Sequence, residues 1–424
     1  MPETSAPAPP TTLTPEARFH ALANSGTNVL LTGPAGTGKT TQQREWLDRH
    51  PRAAVTASTG VAALNAGGAT VHRWSGMMIG PSPGQSFDGF FRQLTQDSRF
   101  GIRAAFNRVR QTEQLVIDEI SMLPGRLLDY LDFHCRAIRH DDRPFGGIQV
   151  ISTGDFLQLP PVRTNPRVEY DWAFDSEAWM NAGFQTVELT TIRRQDDREF
   201  AGALSRFRVG EIDRRVADVL RPRVANFPNR ELTRLLTHNV QVDKWNDYCL
   251  ADLPGNEWVN EAQTEGPSSQ IDFLTKNLLT PATLRLKVGA RVMFTVNRPD
   301  DGFVNGQTGV VTSLNSWEVG IETDHGHVAV EPYTWSFDPK DETSATFEQF
   351  PLRLAYAMTI HKSQGLTLDS AFIDIRAARE PGQGYVALSR VRSVDGLHLK
   401  DWPRGVFVSQ RAIDFHASPF RAAV

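Results

Sequence analysis

The sequence predicts an α/β protein of two lobes, each a parallel sheet covered by helices, with a small insertion in the first lobe and a β-rich insertion in the second. Three observations carry this. Strand-like apolar runs alternate with segments of helical spacing at both ends of the chain. Glycine-rich or acidic segments fall just after those runs, where parallel sheets place ligands. From roughly Leu253 to Phe350 the pattern becomes short β-like runs with Asp-Gly, Asn-Gly and His-Gly turns.

The elements follow in order. The start, Met1 to Pro15, is rich in Pro, Thr and Ala and predicts a disordered tail, with the folded chain beginning after residues 1–12. The run Asn28-Val29-Leu30-Leu31 predicts a strand, and Thr41 to His50 a helix. Ala53 to Ala57 predicts the next strand, then comes Ser58-Thr59-Gly60-Val61-Ala62-Ala63. Gln114 to Ile117 runs into Asp118-Glu119, and Leu123, Leu127, Leu128, Leu131 and Ile138 then fall at helical spacing. Ile148 to Ser152 runs into Gly154-Asp155. These segments make lobe one, 13–75 and 111–186. Between them the alternation breaks, so 76–110 is a small insertion, with a helix around Gly101 to Arg110. A second α/β pattern begins near Val187, with a helix at Arg198 to Phe207, a strand at Arg234 to Thr237 and a helix at Val240 to Leu250. Lobe two is therefore 187–252 and 351–424, interrupted at 253–350 by a small β-barrel with runs at Arg291–Val296, Thr308–Leu314, Trp317–Glu322 and His327–Glu331.

Composition narrows the function classes. The net charge of −4 and pI near 6.3 argue against a uniformly basic nucleic-acid binder, while leaving room for a basic groove. No apolar run is long enough to span a membrane and no signal peptide opens the chain. Cys135 and Cys249 are the only cysteines, so there is no disulfide framework or zinc spacing, and a cytoplasmic location is the expectation.

The chemistry starts at Gly33-Pro34-Ala35-Gly36-Thr37-Gly38-Lys39-Thr40. Its glycines let backbone N–H groups curl round a phosphate. Lys39 reaches the β- and γ-phosphates, and the Thr40 hydroxyl ligates Mg²⁺. The helix that follows adds the positive end of its dipole, and Thr41 completes the nucleotide-binding set. Asp118 at a strand end suits the same Mg²⁺, and Glu119 suits the attacking water. One carboxylate for the metal and one for the water points to hydrolysis rather than group transfer. In Gly154-Asp155-Phe156-Leu157-Gln158-Leu159-Pro160-Pro161, Gln158 suits a γ-phosphate and Phe156 a stacked base, although a lone loop Phe is more often core. Arg194 and Arg390 are candidates to neutralise γ-phosphate charge, and their spacing fits a surface ion pair equally well. Thr359-Ile360-His361-Lys362-Ser363-Gln364-Gly365 predicts a helix start, before a strand at Ser370 to Asp374, that would suit strand phosphates. Thr70-Val71-His72-Arg73-Trp74 offers a similar mix.

Taken in order, these segments resemble the motifs of the Pif-one/RecD-like DNA helicases of superfamily 1B. The matching pieces are 33–40, 57–63 with 68–72, 117–123, 154–161, Arg194-Gln195, 286–293 with Asn305-Gly306, 357–365 and 384–390. The resemblance implies two RecA-like lobes with ATP between them, a wedge insertion at 76–110 and an SH3-like insertion at 253–350. It implies ATP- and Mg²⁺-dependent 5′→3′ movement on single-stranded DNA and unwinding at single-strand/duplex junctions; the small size predicts a monomer, and the lack of a long apolar run predicts no membrane attachment. Carried over, Lys39, Thr40, Asp118 and Glu119 serve the nucleotide and metal, Gln158 senses the γ-phosphate, and Arg194 and Arg390 close on it. Thr70, His72, Phe156, Pro160, His361 and Lys362 contact DNA. One departure stands out: Leu13-Thr14-Pro15-Glu16 is followed by Ala17 where the family often has an adenine-reading Gln. A translocase with little unwinding and an RNA-directed helicase share the same motifs, and backbone contacts barely separate RNA from DNA. The intact Lys39, Asp118-Glu119, Arg194 and Arg390 argue against an inactive module.

Overall fold

The computed structural model describes residues 13–77, 80–82, 84–96, 100–163, 167–195, 197–224, 232–337, 344–402 and 405–418. The expected tail at 1–12 lies outside them. The described chain opens on a helix, Pro15–Asn24, whose first residue is the proline that composition had assigned to the tail. Pro suits the first helical position, where no N–H is needed, and the Thr14 hydroxyl accepts from Ala17 N at 3.2 Å to cap it.

Lobe one is a six-stranded parallel sheet. Its strands are β1 (Val29–Thr32), β2 (Ala54–Ala57), β3 (Ala69–Thr70), β4 (Gln114–Asp118), β5 (Gln149–Thr153) and β6 (Gln185–Glu188), in the order β3-β2-β4-β5-β1-β6. β1 and β5 are buried along their whole length, as strands covered on both faces must be. The boundary at Val187 needs correction: Val187 pairs with Leu31 inside β6, so lobe one extends through Glu188. The Gln185–Glu188 run looks like the start of a new unit because nothing local shows that it crosses back beside β1. The helix after the acidic segment is Gly125–Arg139, and Leu123 precedes it in extended conformation because Pro124 occupies the cap.

The segment expected as an insertion contains two helices, Phe87–Gln96 and Phe100–Gln111. Phe90, Leu94, Ile102 and Val109 share one core with Leu115, Ile117, Leu128 and Leu131 of the lobe.

Lobe two is a four-stranded parallel sheet in the order Ala357–Thr359, Thr233–Leu236, Ala371–Ile373, Leu397–Leu399. The helices Arg198–Arg208, Arg214–Leu220, Asn239–Ala251 and Gln383–Leu388 belong to it. Its core also includes Ala35 and Leu159 of lobe one, so the two lobes meet along an apolar seam. The last helix, Gln410–Ala417, corrects the expectation that the chain ends in lobe two. Phe415 stacks on Phe174 of lobe one at 4.3 Å between ring centroids, and Arg411 pairs with Asp175. Its apolar face is too short to advertise a partner from spacing alone.

Between the two halves of lobe two lies a β region. Its five-stranded antiparallel sheet runs Gly326–Val330, Val319–Thr323, Thr308–Leu314, Arg291–Phe294, Leu352–Leu354. The last of these strands passes the expected limit at residue 350, because the chain pairs with Arg291–Phe294 before it re-enters the parallel sheet. A three-stranded sheet, a two-stranded pair and the helix Ser268–Asn277 complete the region.

Candidate functional site

The glycine loop leaves β1 at its carboxyl end, between β5 and the edge strand β6. Gly36 and Gly38 have φ of +79° and +93°, a region open to glycine and costly for other residues. Gly36 is doubly constrained, since a Cβ there would collide with that of Arg194. The backbone explains the approach: Arg193 N donates to Gly36 O at 2.8 Å. The Lys39 ammonium donates to Gly33 O at 2.7 Å and Pro34 O at 3.0 Å, folding back on its own loop. Burial lowers its pKa, opposed by the charges of Asp155 and Glu119. Thr37 is buried and bonds Pro34 O, while Thr40 and Thr41 are exposed at the start of the helix Lys39–Leu47.

Asp118 ends β4 and Glu119 follows it. The Asp118 carboxylate accepts from the Thr153 hydroxyl and from Glu119 N, the latter at 2.9 Å. Glu119 sits at φ 52°, ψ 46°, an uncommon left-handed conformation for a side-chain-bearing residue. The Ser58 hydroxyl donates to its carbonyl at 2.7 Å and helps hold it there. Burial first, then the neighbouring Asp118 charge, push the Glu119 carboxyl up to about 7. The exposed Thr40 hydroxyl and the Asp118 carboxylate are hard oxygen donors that suit Mg²⁺, and the glycine loop beside them suits a polyphosphate.

Lobe two faces this loop with two arginines. Arg390 is 2% exposed; its Nε donates to Val386 O and its Nη2 to Ser389 Oγ, both at 2.8 Å. Arg194 Nη1 donates to Ser389 O at 3.1 Å. The two guanidinium groups thus meet at one residue, and burial together with Arg194 pushes Arg390 down to about 9. Glu119 acts on Arg390 in the opposite sense, which puts the two charges within electrostatic reach. Neither arginine is the surface ion pair that spacing alone allowed.

Gln158 is buried and donates to Asp155 Oδ2 at 3.2 Å. Phe156 needs correction. It is 1% exposed, with the rings of Trp172, Phe174, Trp179 and Phe415 at 4.9–6.1 Å, so it has no face for a base. Pro160 is likewise buried and offers DNA no surface. Both follow a strand end in sequence, but the rings of Trp172, Phe174, Trp179 and Phe415 enclose Phe156, and Leu159 beside Pro160 joins the core of lobe two.

The remaining candidates stay at the surface. Thr70 ends β3 and caps the helix Val71–Ser75 through Arg73 N at 3.2 Å; His72 is half-buried on that helix. Residues 360–365 correct the expected helix: they form successive turns after the strand Ala357–Thr359. Gly365 at φ +83° and the Ser363 hydroxyl bonding Ile360 O favour turns over helix propagation. His361 is exposed and Lys362 half-buried. Both groups therefore follow carboxyl ends of parallel strands, one in each lobe.

Four participants had no role assigned to them by the motifs. The Tyr385 hydroxyl accepts from Ala35 N at 2.8 Å across the cleft. Gln195 donates to Ser389 O and Val391 O at 3.3 and 3.1 Å. Thr153 holds Asp118. Arg208 binds Asp155 at 2.6 and 3.0 Å. Gln195 and Tyr385 lie inside quoted segments. Arg208 is one arginine among many on an ordinary helix, and no local signal marks it.

Comparison with known proteins gives one family. The family model for PIF1-like helicases matches residues 16–216. A Bdellovibrio bacteriovorus protein named ATP-dependent DNA helicase Pif1 is 38% identical over 402 residues, covering 93% of this chain and 89% of that one. The zebrafish (Danio rerio) ATP-dependent DNA helicase PIF1 is 37% identical over 404 residues; the match covers 92% of this chain but only 61% of that longer relative. The Bacteroides sp Pif1 structure in complex with ADP-AlF4 superposes with a TM-score of 0.82 at 30% identity, covering 97% of each chain.

Proposed function

We propose, because this chain belongs to the PIF1-like helicase family, that it is an ATP-dependent DNA helicase that moves 5′→3′ on single-stranded DNA and unwinds duplex or structured DNA. The observation that carries the reading is the meeting of Arg194 and Arg390 at Ser389, opposite the Lys39 loop and Glu119. Charge that develops on a γ-phosphate between the lobes is then neutralised only when both lobes engage.

The residues divide the work. Lys39 and the loop amides of 33–41 hold the phosphates. Thr40 and Asp118 would hold Mg²⁺, which would supply Lewis-acid neutralisation of the phosphate oxygens. Glu119 accepts the proton of the attacking water. Gln158 reports the γ-phosphate, and Arg194 and Arg390 stabilise the transition state. Thr70 and His72 in lobe one, with His361 and Lys362 in lobe two, bind the strand. Nucleotide binding draws the lobes together and hydrolysis releases them, so two grips that alternate give net movement. The helices Phe87–Gln96 and Phe100–Gln111 carry the wedge, and the β region serves as the SH3-like accessory; the motor acts as a monomer. Ala17 leaves adenine without its usual amide partner, so the enzyme either accepts other nucleoside triphosphates too or reads adenine with another group.

The test is ATP turnover alone, with single-stranded DNA and with single-stranded RNA, beside Lys39→Ala. The expected result is strong stimulation by DNA, absent in the variant. Stimulation by RNA alone would move the substrate to RNA, and turnover indifferent to both would remove the motor reading.

A further inference from the structure

Asp155 is fully buried, yet no role in nucleotide or strand binding accounts for it. Its carboxylate is gripped from lobe two. Arg208, the last residue of the helix Arg198–Arg208 and 7% exposed, donates Nη2 to Oδ1 at 2.6 Å and Nε to Oδ2 at 3.0 Å. Burial alone would raise the Asp155 carboxyl, and the Arg208 guanidinium and the His416 ring together more than offset this, holding it well below the usual range. His416, on the closing helix, lies 3.5 Å from Oδ1. The same carboxylate accepts Gln158 Nε2 at 3.2 Å and Leu157 N at 3.1 Å. Lobe two also presses on this loop through its backbone: a Cβ on Gly382 would collide with the carbonyls of Leu157 and Gln158. Gly382 caps the helix Gln383–Leu388, which carries Tyr385 and leads directly to Arg390.

We infer that Arg208 is a positioning residue for hydrolysis: from lobe two it fixes Asp155, and through Asp155 it sets the Gln158 amide for the γ-phosphate. The inference rests on the proposed role of Gln158. A bidentate guanidinium–carboxylate pair fixes direction as well as distance, which a lysine ammonium does not. The pair is also buried, so opening it would strand a charge away from water. It therefore persists while the lobes open and close, and Gln158 keeps one orientation relative to lobe two through the cycle. The γ-phosphate contact is in this way built by both lobes, although the glutamine belongs to one.

The experiment is a double-mutant cycle on the full chain with single-stranded DNA present, using Arg208→Gln and Gln158→Ala, with kcat and KM for ATP measured separately. Each single variant is expected to lose about tenfold or more in kcat with KM within about threefold. The double variant is expected to be no slower than the slower single, since both remove one contact. Arg208→Lys is expected to recover little, because the fork is lost. Losses that multiply in the double variant would overturn the positioning role while leaving Gln158 as sensor. A Gln158→Ala enzyme at full speed would instead remove the sensor reading itself. If Arg208→Gln lacks a cooperative melting transition, Arg208→Lys replaces it in the same cycle, with the same two outcomes deciding.

Discussion

The cleft between the lobes and the surface proposed to face the strand are built on opposite physical terms. In the cleft, charged groups are buried and interlocked: Arg390, Asp155 and Arg208 are each under a tenth exposed, and each has named partners. On the side proposed to face the strand His361 is exposed and Lys362 and His72 are half-buried; the backbone turns around His361 and Lys362, while His72 lies on the short helix Val71–Ser75. A buried charge carries a large penalty unless its partner is in place, so the cleft tolerates one arrangement. A half-exposed cation keeps water as an alternative partner, so it can bind, release and bind again. A motor needs both: a site that is all-or-none for chemistry and a grip that is cheap to break.

The comparison can be broken most directly at the cleft. Arg390→Ala is expected to lower DNA-stimulated turnover by roughly 10³–10⁵ while the single-strand Kd stays within a few-fold. Steady-state ATPase and fluorescence anisotropy check this, and turnover within tenfold of the parent would show that the guanidinium is structural only. Phe156→Ala asks whether that ring belongs to the cage or to DNA. It is expected to cost about 3–5 kcal/mol of stability by leaving a cavity, with no loss of strand affinity in the folded fraction. Chemical denaturation read beside anisotropy separates the two, and an affinity loss without destabilisation would restore the ring to the strand site.

The pH profile sharpens the contrast further. With Glu119 up to about 7, the carboxyl is protonated below that pH and cannot accept a proton from water. Turnover should therefore rise about tenfold per pH unit below 7 and level off above it. A profile flat from pH 5.5 to 8 would remove Glu119 as the base. The smallest effect belongs to the exposed side. Lys362→Ala should weaken single-strand affinity a few-fold and reduce the slope of log K against log salt by about 0.7, one phosphate contact. An unchanged slope would mean that Lys362 touches no phosphate.

What was legible in the sequence follows the same division. The glycine loop, Asp118-Glu119 and the strands before them were readable because their chemistry depends on neighbours along the chain. A strand end and a helix start place Gly33 to Thr40 whatever packs around them. Phe156 was misread because its environment is assembled from residues 172, 174, 179 and 415, which no local window contains. The turns at 360–365 looked helical because hydroxyl and amide side chains cluster at helix starts and in turns alike. β6 and the helix Gln410–Ala417 were assigned to lobe two since they follow or lie beside its segments, and only pairing with Leu31 and Phe174 places them in lobe one. Arg208 was invisible: its meaning lies wholly in the carboxylate it meets.

The return of the last helix to lobe one has a mechanical consequence. The chain crosses from lobe one to lobe two after Leu189 and crosses back before Gln410, where Arg411 and Phe415 fasten it. Together with the buried Arg208–Asp155 pair, these crossings tie the lobes at three places, so the cheapest relative motion is one that leaves all three intact. Sliding and twisting would stretch a crossing or pull Phe415 from among its rings. Lobe two is thus mounted like a door on its posts, and a swing that spares these ties is the cheapest displacement open to it.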